Sequence, residues 1–327
     1  NKSAKFAPFV VGAGVITTPL WVQADDQFIP VEDNFQRIIT YTQEVTVNYS
    51  VNSSTVRSGE LRDADWKALK ELIQLSVDAD SVTITGARIE AYASPEGEIT
   101  LNEDLASDRA SSAAASMTRE MKRKKLTADE AFYDLVPKGE DWQGFKSLMQ
   151  ASEIEDKNLI LRVLEMYSDK NKREEEIRNI AKTYKTIEKE ILPALRRSQV
   201  VVSYDVEGYT DEELMDYCMS MPDSLTADEL LYAATLFADL NDKLTIYQSV
   251  ARVHAEDFRG YNNAGWCLAQ MGRMNQAGEV FQQALELERN KAVVNNVAAL
   301  TRQNGDIDGA MKLLNEAAGA GPEVGYN

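Results

Sequence analysis

The side chains best suited to catalysis are scarce in this chain. Its 327 residues include one histidine, His254, and two cysteines, Cys218 and Cys267. Zinc sites of the usual Cys/His kind need several such ligands, and Ser-His or Cys-His catalysis needs a histidine beside the nucleophile. Carboxylate pairs abound in an acidic chain and identify no site without a pocket. The inventory therefore predicts a protein that is not an enzyme and that uses no metal or other cofactor.

Charge and composition narrow the class of protein further. Lys and Arg number 35 and Asp and Glu number 53, which gives a net charge of −18. Such a surface repels phosphate backbones, so nucleic acid is excluded as the expected partner. Hydrophobic residues at 44% and charged residues at 27% are ordinary globular values, which argue against collagen, full disorder and a disulfide scaffold.

The first 24 residues allow two interpretations. Lys2 and Lys5 precede the apolar stretch 6–22, and residues 22–24 resemble the cleavage site of a secretory signal. Two prolines and two glycines interrupt that stretch, which favours an apolar β segment left from a longer mature protein. The sequence has no run of about 18 apolar residues, so we expect no transmembrane segment in this chain.

Hydrophobic periodicity divides the chain into a mixed part and a helical part. Alternating apolar and polar residues predict strands at 45–51, 82–91, 132–136 and 200–206, the third ending before a turn at Pro137-Lys138-Gly139. Helical spacing is found at 61–75, 105–121 and 142–195. Strands that alternate with helices predict an α/β sandwich, one sheet with helices on it. From residue 211 onward only helical periods remain.

The helical part contains an internal repeat. Gly272, Ala277, Phe281 and Ala284 recur 33 residues later as Gly305, Ala310, Leu314 and Ala317. Small residues at fixed offsets with this period resemble the tetratricopeptide repeat, a helix-turn-helix unit whose helices approach closely at Gly265 and Ala277. Residues 261–290 match well, although Arg289 replaces the usual proline, and a weaker copy lies upstream. The resemblance predicts about three repeats over residues 225–318.

A second resemblance lies in residues 89–110, IEAYASPEGEITLNEDLASDRA. The strand-loop-helix pattern is similar to the peptidoglycan-associated domain of OmpA-like proteins, at positions Tyr92, Gly97, Asn102, Leu105, Arg109 and Ala110. The likeness covers residues 43–207, with a helical insertion at about 142–195 that the family usually lacks. Joined to the repeats, it resembles envelope proteins of Bacteroidetes-type bacteria.

The OmpA-like resemblance implies a binding site for diaminopimelate, the zwitterionic residue of peptidoglycan stems. In the family an Asp pairs with its ammonium group and an Arg forks onto its carboxylate. Arg109 occupies the Arg position here, but Ser94 occupies the Asp position, so we expect millimolar rather than micromolar binding. Glu96 or Glu98 is a candidate substitute, and Ser94→Asp is expected to tighten binding if Arg109 is free to bind the ligand. The candidate peptidoglycan-binding residues are Tyr92, Ser94, Glu96, Asn102 and Arg109. The alternative is that Asn102 caps the helix and Arg109 ties it to the loop.

Two functions remain in competition. The first is a non-catalytic scaffold or adaptor of the cell envelope, in which the OmpA-like domain docks at the outer membrane or cell wall and the repeats bind a protein partner. The second is a peptidoglycan-binding anchor that uses Arg109 and Asn102. Candidate groove residues of the repeats are Asn262, Trp266, Asn295 and Arg302. Both predict a periplasmic, outer-membrane-associated protein of a Gram-negative bacterium. The expected organisation is a β-rich segment at 1–42, an OmpA-like domain at 43–207 and a repeat domain at 208–327.

Overall fold

A computed structural model describes residues 26–179 and 181–327, apart from the side chains of 181–183. The chain forms two compact units. One is Gln36–Gly208, and the other combines the described residues before Gln36 with Tyr209–Asn327. From residue 26 onward, the chain therefore runs through part of the second unit, forms the first, and returns to the second.

The Gln36–Gly208 unit is built on a four-stranded sheet. Its strands are β1 (Ile38–Asn48), β2 (Val82–Ala93), β3 (Tyr133–Glu140) and β4 (Arg197–Glu207), in the order β1-β4-β2-β3. β4 is antiparallel to both β1 and β2, whereas β2 and β3 are parallel. The last strand of the unit thus lies inside the sheet, paired on both sides.

Two helices cover this sheet, α1 (Ala64–Asp78) and α2 (Ile99–Arg123). α2 makes the long crossover that a parallel pair such as β2 and β3 requires. Alternate strand residues, among them Val47, Ile89 and Val202, share one buried core with Trp66 of α1 and Met117 of α2. The alternation that predicted the strands therefore marks the face that the helices cover.

The third strand differs from its prediction. We expected a strand at 132–136 followed by a turn, but β3 continues through Pro137 to Glu140. β3 is an edge strand, where a residue without an N–H group is tolerated. Lys138 has no partner in the pairing with β2, and Gly139 follows it with a φ of 67°. A bulge therefore replaces the predicted turn.

The predicted insertion consists of short helices. They are α3 (Trp142–Ala151), α4 (Lys157–Met166), α5 (Lys170–Asn179), α6 (Ala181–Glu190) and α7 (Leu192–Leu195). They enclose a core of their own, which includes Phe145, Ile160 and Leu195. The insertion ends at Arg196, and β4 begins at the next residue.

The second unit is helical from Tyr209 onward. It contains α8 (Asp211–Ser220), α9 (Ala227–Thr235), α10 (Leu240–Val253), α11 (Phe258–Gln270), α12 (Met274–Leu287), α13 (Lys291–Gln303), α14 (Ile307–Glu316) and α15 (Pro322–Tyr326). Successive helices from α9 to α14 pack on each other, and one core cluster runs from Leu214 to Ala299. In the part of the chain that the structure describes, no helix is long and apolar enough to cross a membrane.

The N-terminal segment differs from the predicted β-rich segment at 1–42. Of that range, residues 1–25 lie outside the described residues, residues 26–35 contain no strand, and β1 begins only at Ile38. Residues 26–35 belong to the helical unit. The backbone groups of residues 27, 29, 31 and 33 form hydrogen bonds with side chains rather than with a neighbouring strand.

Close packing of α11 on α12 gives a test of the helix pair. A Cβ atom added to Gly265 would lie 2.7 Å from two ring carbons of the buried Phe281. We expect Gly265→Ala to lower the free energy of unfolding of the helical unit by about 1–3 kcal/mol, since the core must shift. Gly278→Ala is the matched control, because its Cβ would meet only Leu300 at 3.5 Å, and it should be neutral or mildly stabilising. Equal denaturation midpoints for the two variants would contradict this packing.

Candidate functional site

Two consecutive asparagines on α11 recur at the matching place on α13. They are Asn262-Asn263 and Asn295-Asn296, and each side chain is at most 2% exposed. A buried amide needs hydrogen-bonding partners, since leaving it unpaired costs about 1–3 kcal/mol. The hydrogen-bonding partners of these four side chains therefore identify the occupant of the groove beside α11 and α13.

Their partner is the chain's own extended segment, residues 26–33. The Asn263 amide accepts a hydrogen bond from the Val31 N–H at 2.8 Å and donates one to the Val31 carbonyl at 2.8 Å. The Asn296 amide does the same with Ile29, at 2.7 and 2.8 Å. Each of these side chains thus satisfies a whole peptide residue, as the neighbouring strand of a sheet would.

The pattern continues along the segment. The Asn327 side chain pairs with the N–H and the carbonyl of Gln27, both at 2.8 Å. Asn262 and Asn295 donate to the carbonyls of Ile29 and Gln27, at 3.0 and 3.1 Å. The paired residues 27, 29 and 31 alternate, so each step between clamps spans two residues, about 6.6 Å of extended chain. The asparagine side chains therefore bind backbone groups, which are the same in every peptide.

Two side chains of the segment, those of Asp26 and Phe28, are enclosed by the groove. The Asp26 carboxylate contacts Arg302 and Gln303, and its side chain is 1% exposed. Phe28 is buried and stacks on Phe281, with 5.8 Å between ring centroids. At the other end Arg259 donates to the Asp33 carbonyl at 2.8 Å. The groove thus encloses an acidic side chain and, two residues later, an aromatic ring.

The structure brings three of the four predicted groove residues onto this segment, namely Asn262, Asn295 and Arg302. Trp266 lies one helical turn after Asn262 and is partly buried against the core. Sequence reasoning missed Asn263, Asn296 and Asn327, and it did not foresee that the occupant is part of the same chain. The repetition of an Asn-Asn pair after 33 residues was the available signal.

Residues 258–291, which span α11 and α12, match the family model of the tetratricopeptide repeat. The chain carries a tetratricopeptide repeat. This confirms the repeat prediction at its best-matching part. No curated protein was found to match the chain.

The tetratricopeptide repeat contains Cys267, and Cys218 lies upstream on α8; both thiols are free and buried. Burial raises the pKa of Cys267 to about 12 and that of Cys218 to about 11. The thiolate is the reactive form, so we expect alkylation by iodoacetamide at about pH 8 to be at least about 100-fold slower than in the guanidinium-unfolded chain. Mass spectrometry of timed samples measures this. Fast labelling of Cys267 in the folded protein would contradict its burial.

The second candidate site, outside the repeats, centres on the buried Arg109. Its guanidinium donates to the carbonyls of Ser53 at 3.0 Å, Tyr92 at 2.8 Å and Ser50 at 3.4 Å, and it lies 5.2 Å from the centre of the Tyr49 ring. Burial lowers the pKa of Arg109 to about 10, so it remains charged at neutral pH. Arg109 thus ties α2 to β2 and to the loop after β1. A ligand carboxylate would have to replace some of these carbonyls.

The carboxylate nearest the predicted Asp position belongs to Glu96, and it is already paired. Ser94 donates to its Oε1 atom at 2.7 Å, and Arg196 forms an ion pair with the same atom at 2.7 Å. Both charged side chains are largely buried, at 16% and 11% exposed. The carboxylate of the loop is therefore neutralised within the protein, by a guanidinium from the residue before β4.

Asn102 joins the loop to β3 and, through β3, to the insertion. Its amide donates to the Glu96 carbonyl and to the Glu140 carboxylate, both at 3.0 Å, and Glu140 accepts from the Trp142 indole at 2.8 Å. Asn102 lies inside α2 rather than at its N-cap, which is Glu98. It therefore does not cap the helix as the alternative interpretation expected.

Tyr92 and the insertion complete this cluster. The Tyr92 hydroxyl donates to Glu90 at 2.8 Å, and burial together with that carboxylate raises its pKa to about 12. Glu174 of α5 accepts a hydrogen bond from the Gly97 N–H at 2.7 Å. The insertion thus contacts the loop in which the OmpA-like resemblance implies ligand binding.

Proposed function

We propose that this chain is a non-catalytic scaffold or adaptor of the cell envelope. In this proposal the repeats bind a protein partner, and the Gln36–Gly208 unit docks at the outer membrane or cell wall, on the periplasmic side in a Gram-negative bacterium. The observation that carries the proposal is the groove in which paired asparagines hold an extended peptide backbone. A surface of that kind recognises protein, and the tetratricopeptide repeat supports the same class of function.

Support for the docking role comes from the Gln36–Gly208 unit. Strands and helices alternate through it, as the OmpA-like resemblance implies, and the helices before its last strand are an addition that the family usually lacks. Arg196 and Arg197 stand at the entry to β4, and Arg197 forms an ion pair with the buried Asp141 at 2.7 Å. These features support the resemblance on which the envelope role rests.

The alternative, an anchor that grips peptidoglycan through Arg109 and Asn102, would need rearrangement. Arg109 would have to release backbone carbonyls, and Glu96 would have to release Arg196. Breaking a buried charged contact costs several kcal/mol, comparable with the difference of about 4 kcal/mol between micromolar and millimolar binding. Docking through a protein of the envelope is therefore the version that we favour.

Calorimetry with a muropeptide that contains diaminopimelate tests the alternative. We expect a dissociation constant of about 1 mM or weaker for the unaltered chain, which is near −4 kcal/mol. Ser94→Asp should not improve it, because the new carboxylate would face Arg196 and would lie beside Glu96. Ser107→Asp, on the exposed face of α2, is the matched charge control. Micromolar binding by the unaltered chain would instead favour the anchor.

Fractionation combined with crosslinking tests the scaffold itself. The full chain, expressed in a Gram-negative host that carries it naturally, should sediment with outer membranes, and photo-crosslinkers on exposed repeat positions should capture a defined protein. Purified sacculi, stripped of protein, should not retain it. Recovery in the cytoplasmic fraction would contradict the proposal, and retention by the stripped sacculi would contradict docking through a protein of the envelope.

A further inference from the structure

The occupant of the repeat groove makes most of its polar contacts through its backbone. Residues 27, 29 and 31 are paired through N–H and carbonyl groups, and Asp26 and Phe28 are the two side chains enclosed. Pro30 and Glu32, by contrast, are exposed. Any extended peptide with an acid, an aromatic residue two positions later, and unblocked N–H groups at its second, fourth and sixth positions satisfies the same contacts.

We propose that this groove is an exchangeable peptide site. Its ligand in trans is an extended segment of a partner protein with the pattern acid-x-aromatic, and residues 26–33 are a cis competitor that keeps the site closed. This rests on the proposed function, since it names the class of partner that the repeats bind.

Electrostatics and aromatic contact define that class. Arg302 lies where the acid binds, and it would lose its ion pair with any neutral residue there. Phe281 offers a ring face at the aromatic position, and stacked pairs add about 0.5–1.5 kcal/mol beyond buried area. Proline at the second, fourth or sixth position would remove an N–H group that donates a hydrogen bond to an asparagine side chain.

A partner peptide is favoured over the same segment of a second copy. A tethered ligand experiences an effective concentration that is millimolar for short flexible linkers. At micromolar protein, a second copy offers the same contacts at a concentration about 1,000-fold lower, so it does not displace the cis segment. A foreign segment competes when it fits the two side-chain positions better or when further contacts hold its protein nearby.

Asn34 marks the point at which the segment leaves the groove. Asn34 follows the clamped residues with a φ of 60°, in the left-handed region that asparagine tolerates but does not prefer. The chain turns there before it reaches β1 at Ile38. The groove residues lie on α11, α12 and α13 and at Asn327, and all of them are outside the segment that is released.

Fluorescence polarisation with a labelled octapeptide, DQFIPVED, tests the exchange on the full chain. Ile29→Pro removes the N–H group that donates a hydrogen bond to the Asn296 side chain. The substitution lies in the segment, so the side chains of the groove are unchanged. We expect the unaltered chain to bind the probe weakly and Ile29→Pro to bind it at least about 30-fold more tightly, because less competitor remains. Glu32→Ala, at an exposed side chain, is the matched control and should behave as the unaltered chain.

Two further arms identify the site. Adding Asn296→Ala to Ile29→Pro should weaken probe binding at least about 10-fold, and probes with alanine in place of the acid or the phenylalanine should bind less tightly. If the probe binds none of these folded chains, the segment is a fixed part of the core and the proposal fails. If the unaltered chain is a dimer at micromolar concentration and exchanges the segment between copies, the second copy is the occupant and the proposal also fails.

Hydrogen exchange of the unaltered chain gives a test that needs no variant. The amides of Ile29 and Val31 should exchange at least about 100-fold faster than the buried amides of α11, since the segment opens without global unfolding. Equal protection would overturn the exchangeable site. If these tests fail while a crosslinked envelope partner is still captured, the exchangeable site is wrong and the scaffold function stands. If the probe binds but the chain is recovered in the cytoplasmic fraction, only the envelope role is wrong.

Discussion

Phe28→Ala should lower the free energy of unfolding of the helical unit by about 3–5 kcal/mol, the usual cost of deleting a buried phenylalanine. The Phe28 ring is 7% exposed and belongs to the same core cluster as Phe281 and Leu268. Its loss leaves a cavity against Phe281 that the helices cannot close. Urea denaturation followed by hydrogen exchange of peptides from α11 and α12 measures this unit separately from the sheet.

The control for Phe28→Ala is Phe28→Leu, which keeps most of the volume and should cost less than about 1.5 kcal/mol. The loss of unfolding free energy that can be measured has an upper limit. Once a substitution makes the contacts of the segment weaker than the free energy gained on its release, the segment leaves the groove and no further loss is seen. A loss of about 3–5 kcal/mol therefore also implies that the cis segment weakens a competing peptide by a factor of about 100 or more. A loss below about 1 kcal/mol would show that the segment does not belong to the core.

Arg109→Leu should destabilise the Gln36–Gly208 unit by a similar amount, about 3–5 kcal/mol. The change leaves the partly buried carbonyls of Ser53 and Tyr92 without their donors, at about 1–3 kcal/mol each, and removes the cation beside Tyr49. Arg123→Ala, near the C-terminal end of the same helix, is the matched control: its side chain is 70% exposed and it should change stability by less than about 0.5 kcal/mol.

Hydrogen exchange of β2 and α2 peptides under increasing urea measures the effect of Arg109→Leu. The result also distinguishes two roles of Arg109. A folded, equally stable variant would mean that the guanidinium is not needed by the core and is available to a ligand. Marked destabilisation would mean that its hydrogen bonds to the carbonyls are part of the fold.

The regular elements were predictable because their signals are local. Alternation at 82–91 and 200–206 located β2 and β4 to within a few residues, since one face of each strand is buried by α1 and α2. The 33-residue period located the tetratricopeptide repeat for the same reason: small residues recur wherever two helices approach closely. Pro137 was misread as a turn because its place at the edge of the sheet depends on the strand order, which no local pattern encodes.

The contacts of both candidate sites were not predictable in this way. The segment 26–33 has neither periodicity nor a turn signal of its own, and its partners lie 226 to 300 residues away along the chain. Arg109 was recognised as a candidate by its position in a motif. Its hydrogen-bond acceptors are the backbone carbonyls of residues 50, 53 and 92, which only the tertiary structure brings to Arg109. Every residue has a backbone carbonyl, so these acceptors leave no signal in the sequence.

The order of the chain has a consequence for its biosynthesis. Ile29 precedes Asn296, which clamps it, by 267 residues, and the whole Gln36–Gly208 unit is translated between them. At about 5–20 residues per second the ribosome needs about 13 to 53 s to reach the clamp after it has made its ligand. During that interval the nascent segment has no groove to bind. A sheet unit that folds at an ordinary rate is folded before the groove has been synthesised. A translation product that stops before Asn296 would keep the ligand permanently without its clamp.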